Sequence, residues 1–237
     1  MKISIVVPFH NEAGCAAAVL EELRSVRGAA DEIIAVDDGS TDETATIIEG
    51  IPGIISIHLA GNQGQSAAVY AGIHAATGDF IFTMDGDGQN DPNDFETLRE
   101  ALDAADFAIG YRLNRMDSWS KRAASRLANG LRSRILNDCV RDSGCGLKAF
   151  RRQALKAFIP FNGLHRFMPA LAINAGLRVV ERPVHHRPRH AGTSKYTNWD
   201  RGLRGLYDLI GVSWFLRRAV YPTPSFTKGK HPWTTNS

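Results

Sequence analysis

The sequence has few cysteines and no long apolar run. Its three cysteines, Cys15, Cys139 and Cys145, form no Cys-x-x-Cys pair of the kind that holds zinc. No stretch approaches the roughly 18 consecutive apolar residues of a spanning helix. The N-terminal MKISIVVP lacks the apolar region and cleavage site of a signal peptide. These absences predict a reduced, cytoplasmic protein.

Two common nucleotide-binding motifs are also missing. No Gly-x-Gly-x-x-Gly turn follows the first apolar run, which argues against a standard dinucleotide dehydrogenase. There is no Gly-x-x-x-x-Gly-Lys-Ser/Thr P-loop. Aromatic residues make up 8% of the chain and no nucleic-acid motif is present, so nucleic-acid binding is not expected.

The two halves of the chain carry opposite charge. Up to Gly110 there are 19 acidic and 4 basic side chains, and from Tyr111 onward there are 6 acidic and 24 basic ones. Two solvated surfaces of opposite sign would give this split, and so would a cation-binding half followed by an anion-binding half.

Residues 2–110 alternate short apolar runs with segments rich in Ala, Leu and Glu, the pattern of a parallel sheet covered by helices on both faces. The predicted strands are Ile3–Val7, Glu32–Val36, Ile54–His58, Phe80–Met84 and Phe107–Ile109. The predicted helices are 13–27, 42–50, 64–76 and 93–104. Ser40 stands three residues before Glu43, the spacing of a capping box at the start of the second helix. The fold class is therefore α/β, with a Rossmann-like, mostly parallel sheet.

The later part of the chain alternates less clearly. Further helices are predicted at 117–136, 165–176 and 199–218, with a strand at Leu177–Val184. We expect one domain over 1–198, an amphipathic helix in 199–221 and a disordered tail in 222–237. Apolar residues recur in the last helix at helical spacing, at Leu203, Leu206, Tyr207, Ile210 and Trp214. Such a helix packs on the domain or lies at a membrane surface.

Polar clusters follow three of the predicted strands. They are Pro8-Phe9-His10-Asn11-Glu12, Asp37-Asp38-Gly39-Ser40 and Asp85-Gly86-Asp87-Gly88-Gln89. Ligands of open parallel sheets bind at the carboxyl ends of strands, so the three clusters are expected to converge on one crevice. Each cluster taken separately would also suit a helix cap or a turn.

The stretch DFIFTMDGDGQNDP predicts a cation site. Neighbouring carboxylates repel unless a cation lies between them, and Mg²⁺ or Mn²⁺ is commonly held by one or two carboxylates plus phosphate oxygens. The glycines beside Asp87 would let a bulky ligand approach the backbone. A Ca²⁺ loop from Asp85 to Glu96 is disfavoured, because Asn90 replaces the required glycine and a strand precedes the loop.

Four blocks of the sequence are similar to those of a known family. VVPFHNE, VDDGSTDET, GNQGQSAAVYAGIHAATGDFIFTMDGDGQNDP and RHAGTSKY together resemble family 2 glycosyltransferases over roughly residues 2–215. The last block resembles the dolichyl- or polyprenyl-phosphate branch, to which dolichol-phosphate mannose synthase belongs. The resemblance implies the glycosyltransferase-A fold and inverting transfer of a hexose-type sugar from GDP-mannose or a UDP-sugar to a polyprenyl phosphate.

The resemblance also implies a donor site. Pro8, His10 and Glu12 match residues that line the nucleotide base and ribose, and Val36 and Asp38 match the next nucleotide contacts.

The same resemblance implies where the chemistry occurs. Asp85, Gly86 and Asp87 match the Asp-x-Asp motif that holds Mg²⁺ or Mn²⁺ and the sugar diphosphate, with both aspartates as metal ligands. Gln89 matches a residue near the donor sugar and Arg112 an active-site arginine. Arg189 and Lys195 match cations that bind the donor diphosphate and the acceptor phosphate.

A lipid phosphate is ionised near pH 7, so its oxygen can attack without a general base. A saccharide hydroxyl is the alternative acceptor; it needs a base, for which Asp91 is the first candidate. A non-catalytic module that binds a nucleotide or Ca²⁺ is an alternative of another class. With a lipid acceptor, the protein is expected at the cytoplasmic face of the membrane as a peripheral enzyme.

Two further segments also resemble the polyprenyl-phosphate branch. In the first, DSGCGLKAFRR at residues 142–152, Ser143-Gly144 lies near the acceptor channel or forms a turn that leads into a strand. His165-Arg166-Phe167 belongs to the site or begins a helix packed on the core.

Overall fold

The computed structural model covers most of the chain. It describes residues 1–28, 31–112, 130, 132–138, 140–188 and 198–221, with the backbone alone for 198–204. Several expectations lie outside the described residues: the roles of Arg189 and Lys195, most of the 117–136 helix, the side chain of Leu203, and the tail 222–237.

One seven-stranded sheet runs through the protein. Its strands are β1 (Ile3–Phe9), β2 (Glu32–Asp37), β3 (Ile54–His58), β4 (Phe80–Thr83), β5 (Phe107–Arg112), β6 (Lys148–Arg151) and β7 (Val179–Val184). The order across the sheet is β3-β2-β1-β4-β6-β5-β7, and only β6 runs antiparallel to its neighbours among these strands. The six other strands are the ones predicted from the sequence, and the mostly parallel α/β architecture is confirmed.

Helices follow the strands as the alternation predicts. They are α1 (Ala16–Val26), α2 (Thr44–Glu49), α3 (Gln65–Ala75), α4 (Asp94–Ala101), α5 (Leu164–Asn174) and α6 (Asn198–Leu216), with a 3₁₀ helix at Arg152–Ala157. Every residue of β2 and β4 is buried, which is typical of strands covered on both faces. The carboxyl ends of β1 and β4 adjoin where the strand order reverses, the usual ligand position in such sheets.

The later part of DSGCGLKAFRR forms strand β6, as the interpretation of a turn into a strand predicts, while its position relative to an acceptor channel stays a prediction. The strand lies between β4 and β5, and its Phe150 stacks on Phe107 of β5 with ring centroids 5.5 Å apart. Lys148 pairs with Thr83 of β4, so the segment also comes next to the loop that follows β4.

The predicted capping box at Ser40 is wrong. Helix α2 begins at Thr44, and Asp42 Oδ1 accepts hydrogen bonds from the backbone N–H and the hydroxyl of that residue. Ser40 Oγ instead accepts the backbone N–H of Asn11, 2.9 Å away, and so ties the loop after β1 to the loop after β2.

Helix α6 both packs on the domain and presents an apolar face. Leu209 and Val212 are buried against α5 in a small cluster with Leu136, Phe167 and Ala170. The opposite face exposes the predicted apolar residues Leu206, Tyr207, Ile210 and Trp214. Within the part of the chain that the structure describes, no helix is long and apolar enough to cross a membrane.

Candidate functional site

The loop after β4 carries the two aspartates of the candidate cation site. Asp87 Oδ1 accepts the backbone N–H of Gln89 at 3.1 Å, and Asn90 Oδ1 accepts that of Asp85 at 3.2 Å. Gly88 has a φ of +74°, a left-handed conformation that suits glycine. The loop therefore turns sharply between the two carboxylates and α4.

Asp85 is held from two sides. The side-chain amide of Gln65, at the start of α3, donates to Asp85 Oδ1 at 2.7 Å. Gly146 approaches the same carboxylate from the turn before β6. Loss of contact with water and repulsion from Asp87 raise the pKa of Asp85 to about 6, against the attraction of Lys148 and Arg112. A cation between Asp85 and Asp87 would relieve this repulsion.

The residues fit a divalent metal whose remaining coordination positions are filled by oxygens of a bound ligand. Asp85 and Asp87 offer the carboxylate oxygens that Mg²⁺ and Mn²⁺ prefer. Across the described residues, no group of three or more His, Cys, Asp or Glu could hold a metal. Two carboxylates leave most coordination positions to other oxygens, such as those of a diphosphate.

The Ca²⁺-loop alternative is not supported. Strand β4 precedes the loop, and Glu96 is bound to Arg99 at 2.7 Å on α4. Asp91 binds Arg187 at 2.8 Å. Two of the side chains that such a loop would use are therefore engaged elsewhere.

A pocket of about 300 Å³ lies beside Asp85. Its lining includes Arg112 at the end of β5 and Lys148 of β6. Arg112 Nε and Nη2 donate to the two carboxylate oxygens of Asp142, at 2.7 and 2.9 Å. The structure thus brings Asp85 and Arg112 together, as the resemblance implies, and adds Lys148.

The residues matched to the nucleotide lie on adjoining loops and strands. Pro8 lies in β1 and lines the pocket, whereas Val36 of β2 is fully buried in the core. The side chain of Val36 packs in the core and is therefore not exposed to a nucleotide. Glu12 begins the turn into α1, where its carbonyl accepts the backbone N–H of Ala16.

His10 and Asp38 connect three loops. Asp38 is buried, and its two carboxylate oxygens accept the backbone N–H groups of Gln63 and Gly64, each at 2.8 Å. His10 Nδ1 lies 2.9 Å from the Asp38 carbonyl, and its Nε2 lies 2.8 Å from the Asn62 side-chain amide. These partners suit an imidazole with its hydrogen on Nδ1, because a carbonyl only accepts.

The predicted opening beside Gly86 is occupied by protein. A β-carbon on Gly86 would lie 2.5 Å from the Phe9 ring, so this glycine allows β1 and the loop after β4 to pack closely. The suggestion that it leaves room for a ligand is wrong for Gly86. The buried carbonyl of Gly86 also accepts a hydrogen bond from Cys15 Sγ at 3.2 Å.

Gln89 meets the segment that leads to Arg189. Its carbonyl accepts the backbone N–H of Arg187 at 2.8 Å. Arg187 is fixed by Glu22 of α1 and by Asp91. One residue, Pro188, separates Arg187 from Arg189, so this described segment ends near the Asp85–Asp87 loop.

Asp91, the candidate base, is tightly engaged. Its Oδ1 accepts the backbone N–H of Asn93 at 3.0 Å, while Oδ2 pairs with Arg187. Partial burial acts to raise the pKa of Asp91, but hydrogen bonds from Asn93 and Arg187 outweigh it and lower the pKa. A carboxylate stabilised in this way is a weak base.

Four residues of the site were not singled out from the sequence: Gln65, Asn62, Gly146 and Lys148. The sequence does hold a signal for them, because Gln65 and Asn62 lie in GNQGQS and Gly146 and Lys148 lie in DSGCGLKAFRR, two segments that resemble the family. His165 lines the pocket and binds Ser66 Oγ at 2.8 Å, so His165-Arg166-Phe167 contributes to the site as well as starting α5.

Comparisons with known proteins agree with this geometry. A family model described as Glycosyl transferase family 2 matches residues 4–159. The chain is 36% identical over 231 residues to the undecaprenyl-phosphate 4-deoxy-4-formamido-L-arabinose transferase of Edwardsiella ictaluri (strain 93-146), which covers 94% of this chain and 69% of that protein. The enzyme of the same name from Enterobacter sp. (strain 638) is 36% identical over 221 residues, with 88% and 66% covered.

Solved structures share the fold. Glucosyl-3-phosphoglycerate synthase from Mycobacterium tuberculosis, in complex with Mn²⁺, UDP and glucosyl-3-phosphoglycerate, superposes with a TM-score of 0.70 at 19% identity, covering 91% of this chain and 79% of that one. Another structure of that enzyme gives a TM-score of 0.71 at 19% identity, with 91% and 80% covered. The expected glycosyltransferase-A fold is confirmed. Since the family model spans most of the chain and the curated relatives align over nearly all of it, the chain belongs to glycosyl transferase family 2 and is a glycosyltransferase.

Proposed function

We propose that this glycosyltransferase moves a sugar from a nucleotide donor to a polyprenyl phosphate, with Mg²⁺ or Mn²⁺ held by Asp85 and Asp87. The observation that carries the proposal is a carboxylate pair beside a pocket lined by Arg112 and Lys148. Such a site suits two phosphate-bearing substrates. The names of the relatives specify undecaprenyl phosphate, which supports a polyprenyl phosphate as the acceptor.

The donor end of the site is formed by the loops after β1, β2 and β4. When bound, the cation would offset the charge that develops on the departing nucleoside diphosphate. Gln65 and Gly146 fix the orientation of Asp85, while Asp38 and His10 hold the loops around the nucleotide. The Mn²⁺ and UDP named for the structurally similar synthase support a divalent cation and a UDP-linked donor.

The acceptor end needs a nucleophile and an anion site. A phosphate monoester is already ionised near pH 7, so its oxygen can displace the nucleoside diphosphate directly, with inversion at the anomeric carbon. Asp91 is bound to Arg187 and Asn93, so it is poorly placed to serve as the base that a hydroxyl acceptor requires. This feature favours a phosphate acceptor over a saccharide hydroxyl.

The transferred sugar is proposed only as a class. The relatives are named for a 4-deoxy-4-formamido-L-arabinose, whereas the sequence resemblance suggested a hexose-type sugar. The donor panel in any assay must therefore include both.

A polyprenyl acceptor requires contact with a membrane. We propose that the exposed face of α6, formed by Leu206, Tyr207, Ile210 and Trp214, lies on the membrane surface at its cytoplasmic side. A Trp and aliphatic side chains beside basic residues suit the interface, and Arg217 and Arg218 follow the helix.

A transfer assay tests the proposal. Purified protein, Mn²⁺ or Mg²⁺ and undecaprenyl phosphate are incubated with labelled UDP-glucose, GDP-mannose or a UDP-linked 4-deoxy-4-formamido-L-arabinose. Lipid-dependent label in the organic phase, lost with a chelator and in Asp87→Ala, is the expected result. Donor consumption only when saccharides are supplied would contradict the lipid acceptor.

A further inference from the structure

Lys148 is a buried ammonium group in the wall of the pocket beside Asp85. It has 3% of its surface exposed and lies in β6 opposite Thr83, two residues before Asp85. Its Nζ donates a hydrogen bond to the carbonyl of Cys145. Among the described residues, the structure gives this ammonium no other hydrogen bond and no ion pair.

The two cations that line this wall differ in their partners. Arg112 meets Asp142 in a two-pronged ion pair with distances of 2.7 and 2.9 Å, so its charge is balanced. Among the described residues that line the pocket with Lys148, the one acid is Asp85, whose Oδ1 already accepts a hydrogen bond from the side-chain amide of Gln65. Once Asp85 also binds a cation, its negative charge no longer balances the positive charge of Lys148. Lys148 can then pair with another anion.

Folding does not account for this residue. A buried ammonium is costly unless it is paired, and an apolar side chain of similar volume in its place is often neutral or stabilising. One backbone carbonyl compensates only one of the three N–H donors of Lys148. A group that costs stability and faces a ligand pocket is a candidate for function.

We propose that Lys148 binds a phosphate of the substrates in this pocket. The inference deepens the proposed function and rests on it, because that reaction supplies two such groups: the diphosphate of the donor and the phosphate of the lipid. The ammonium would donate to a phosphate oxygen with the N–H groups that the Cys145 carbonyl leaves unused. A small rigid pocket with a buried cation suits a compact anion of this kind.

The test compares Lys148→Met with Lys148→Arg and Lys156→Met. Methionine removes the charge and keeps the length, while arginine keeps the charge. Lys156 is exposed in the 3₁₀ helix after β6, so Lys156→Met makes the same chemical change away from the pocket. Binding is measured by calorimetry with UDP plus Mn²⁺ and with farnesyl phosphate, a soluble polyprenyl phosphate. Uridine serves as a probe without phosphate.

Lys148→Met should stay folded, with a melting temperature equal to or above that of the wild type. Its affinity for at least one phosphate probe should fall about tenfold or more, while uridine binding and the Lys156→Met protein stay unchanged. A loss confined to UDP assigns Lys148 to the donor diphosphate, and a loss confined to farnesyl phosphate assigns it to the acceptor. Lys148→Arg should retain part of the affinity.

Three other results overturn the inference in distinguishable ways. If the wild type binds both probes and Lys148→Met binds them equally well, Lys148 is a structural residue and the proposed function stands. If the wild type binds neither probe, the proposed function fails and the inference fails with it. If Lys148→Met unfolds and Lys148→Arg binds both probes with wild-type affinity, the charge of Lys148 is structural and the inference fails. If Lys148→Met unfolds and folded Lys148→Arg loses affinity, the result supports the phosphate contact.

Discussion

Gly146 lies so close to Asp85 that a β-carbon on Gly146 would fall 2.4 Å from Asp85 Cγ. The two residues are distant in sequence and meet because β6 pairs antiparallel with β4. The Gly146 carbonyl also accepts the hydroxyl of Thr83 at 2.9 Å, which fixes the turn against the strand. The position of a candidate metal ligand therefore depends on a glycine some sixty residues later in the chain.

Gly146→Ala should displace the carboxylate of Asp85. We expect sugar transfer to fall about a hundredfold or more, the usual effect of losing one contact to developing charge. The overpacking should lower the free energy of unfolding by about 1–3 kcal/mol. Urea unfolding and turnover at saturating Mn²⁺ measure the two effects. Gly50→Ala, whose β-carbon has ordinary contacts, is the control, and full activity in Gly146→Ala would contradict the constraint.

Asp85→Asn should stabilise the metal-free protein at high pH. The pKa of Asp85 is raised from 3.8 to about 6, so the stability it contributes is present below pH 3.8 and is lost as pH rises through 6. In EDTA at pH 8, the variant should exceed the wild type by about 1–3 kcal/mol, and the difference should shrink towards pH 4. Mn²⁺ should raise the melting temperature of the wild type and not of the variant. Equal stability at both pH values would refute this account.

The sequence predicted the parallel part of the sheet because its signal is local. Apolar runs alternate with helix-like segments up to Phe107, and each predicted strand there is present. Strand β6 has only four residues, two of them charged, and its pairing with β4 and β5 is a long-range event. No periodicity in the sequence indicates that Lys148 and Gly146 reach the Asp85 loop.

Local motifs also had more than one physical use. The spacing of Ser40 and Glu43 suits a capping box, yet it is Asp42 that accepts the backbone N–H of Thr44 at the start of α2, while Ser40 binds the neighbouring loop. A glycine at position 86 would allow a ligand to approach the backbone closely, yet Phe9 fills the space beside it. The aspartates were identifiable because two carboxylates at a strand end conflict with folding, whereas the partners that satisfy a motif depend on tertiary contacts.

Asp38→Asn should loosen the loop that precedes α3. Both carboxylate oxygens accept backbone N–H groups, and an amide would replace one acceptor with a donor that faces the N–H of Gln63 or Gly64. We expect a loss of about 1–3 kcal/mol in the free energy of unfolding and weaker UDP binding. Urea unfolding and calorimetry measure these changes. Asp103→Asn, at an exposed position after α4, should leave both unchanged.

His165 should make the protein sensitive to acid. Burial lowers the pKa of His165 from 6.5 to about 3, so the folded state favours the neutral ring. The stability this contributes is present above pH 6.5 and is lost as pH falls towards 3, by up to about 1.4 kcal/mol per pH unit. Between pH 7 and 5 the wild type should lose more stability than His165→Asn. Parallel pH profiles of the two proteins would contradict this assignment.

The exposed face of α6 carries the proposed contact with the membrane. Tyr207, Ile210 and Trp214 expose 80%, 64% and 63% of their surfaces, while Leu209 and Val212 on the opposite face hold the helix on the domain. An acidic residue on the exposed face should therefore weaken binding to an apolar interface without disturbing the packing.

We expect the double variant Ile210→Asp/Trp214→Asp to bind vesicles containing anionic lipid about tenfold less tightly, because buried apolar area and attraction to anionic lipid both contribute to interfacial binding. Its melting temperature should stay that of the wild type. Val26→Asp makes a similar change at another exposed apolar residue and should bind vesicles normally. Co-sedimentation at several salt concentrations measures the effect. Unchanged binding of the double variant would place the contact with lipid elsewhere on the protein.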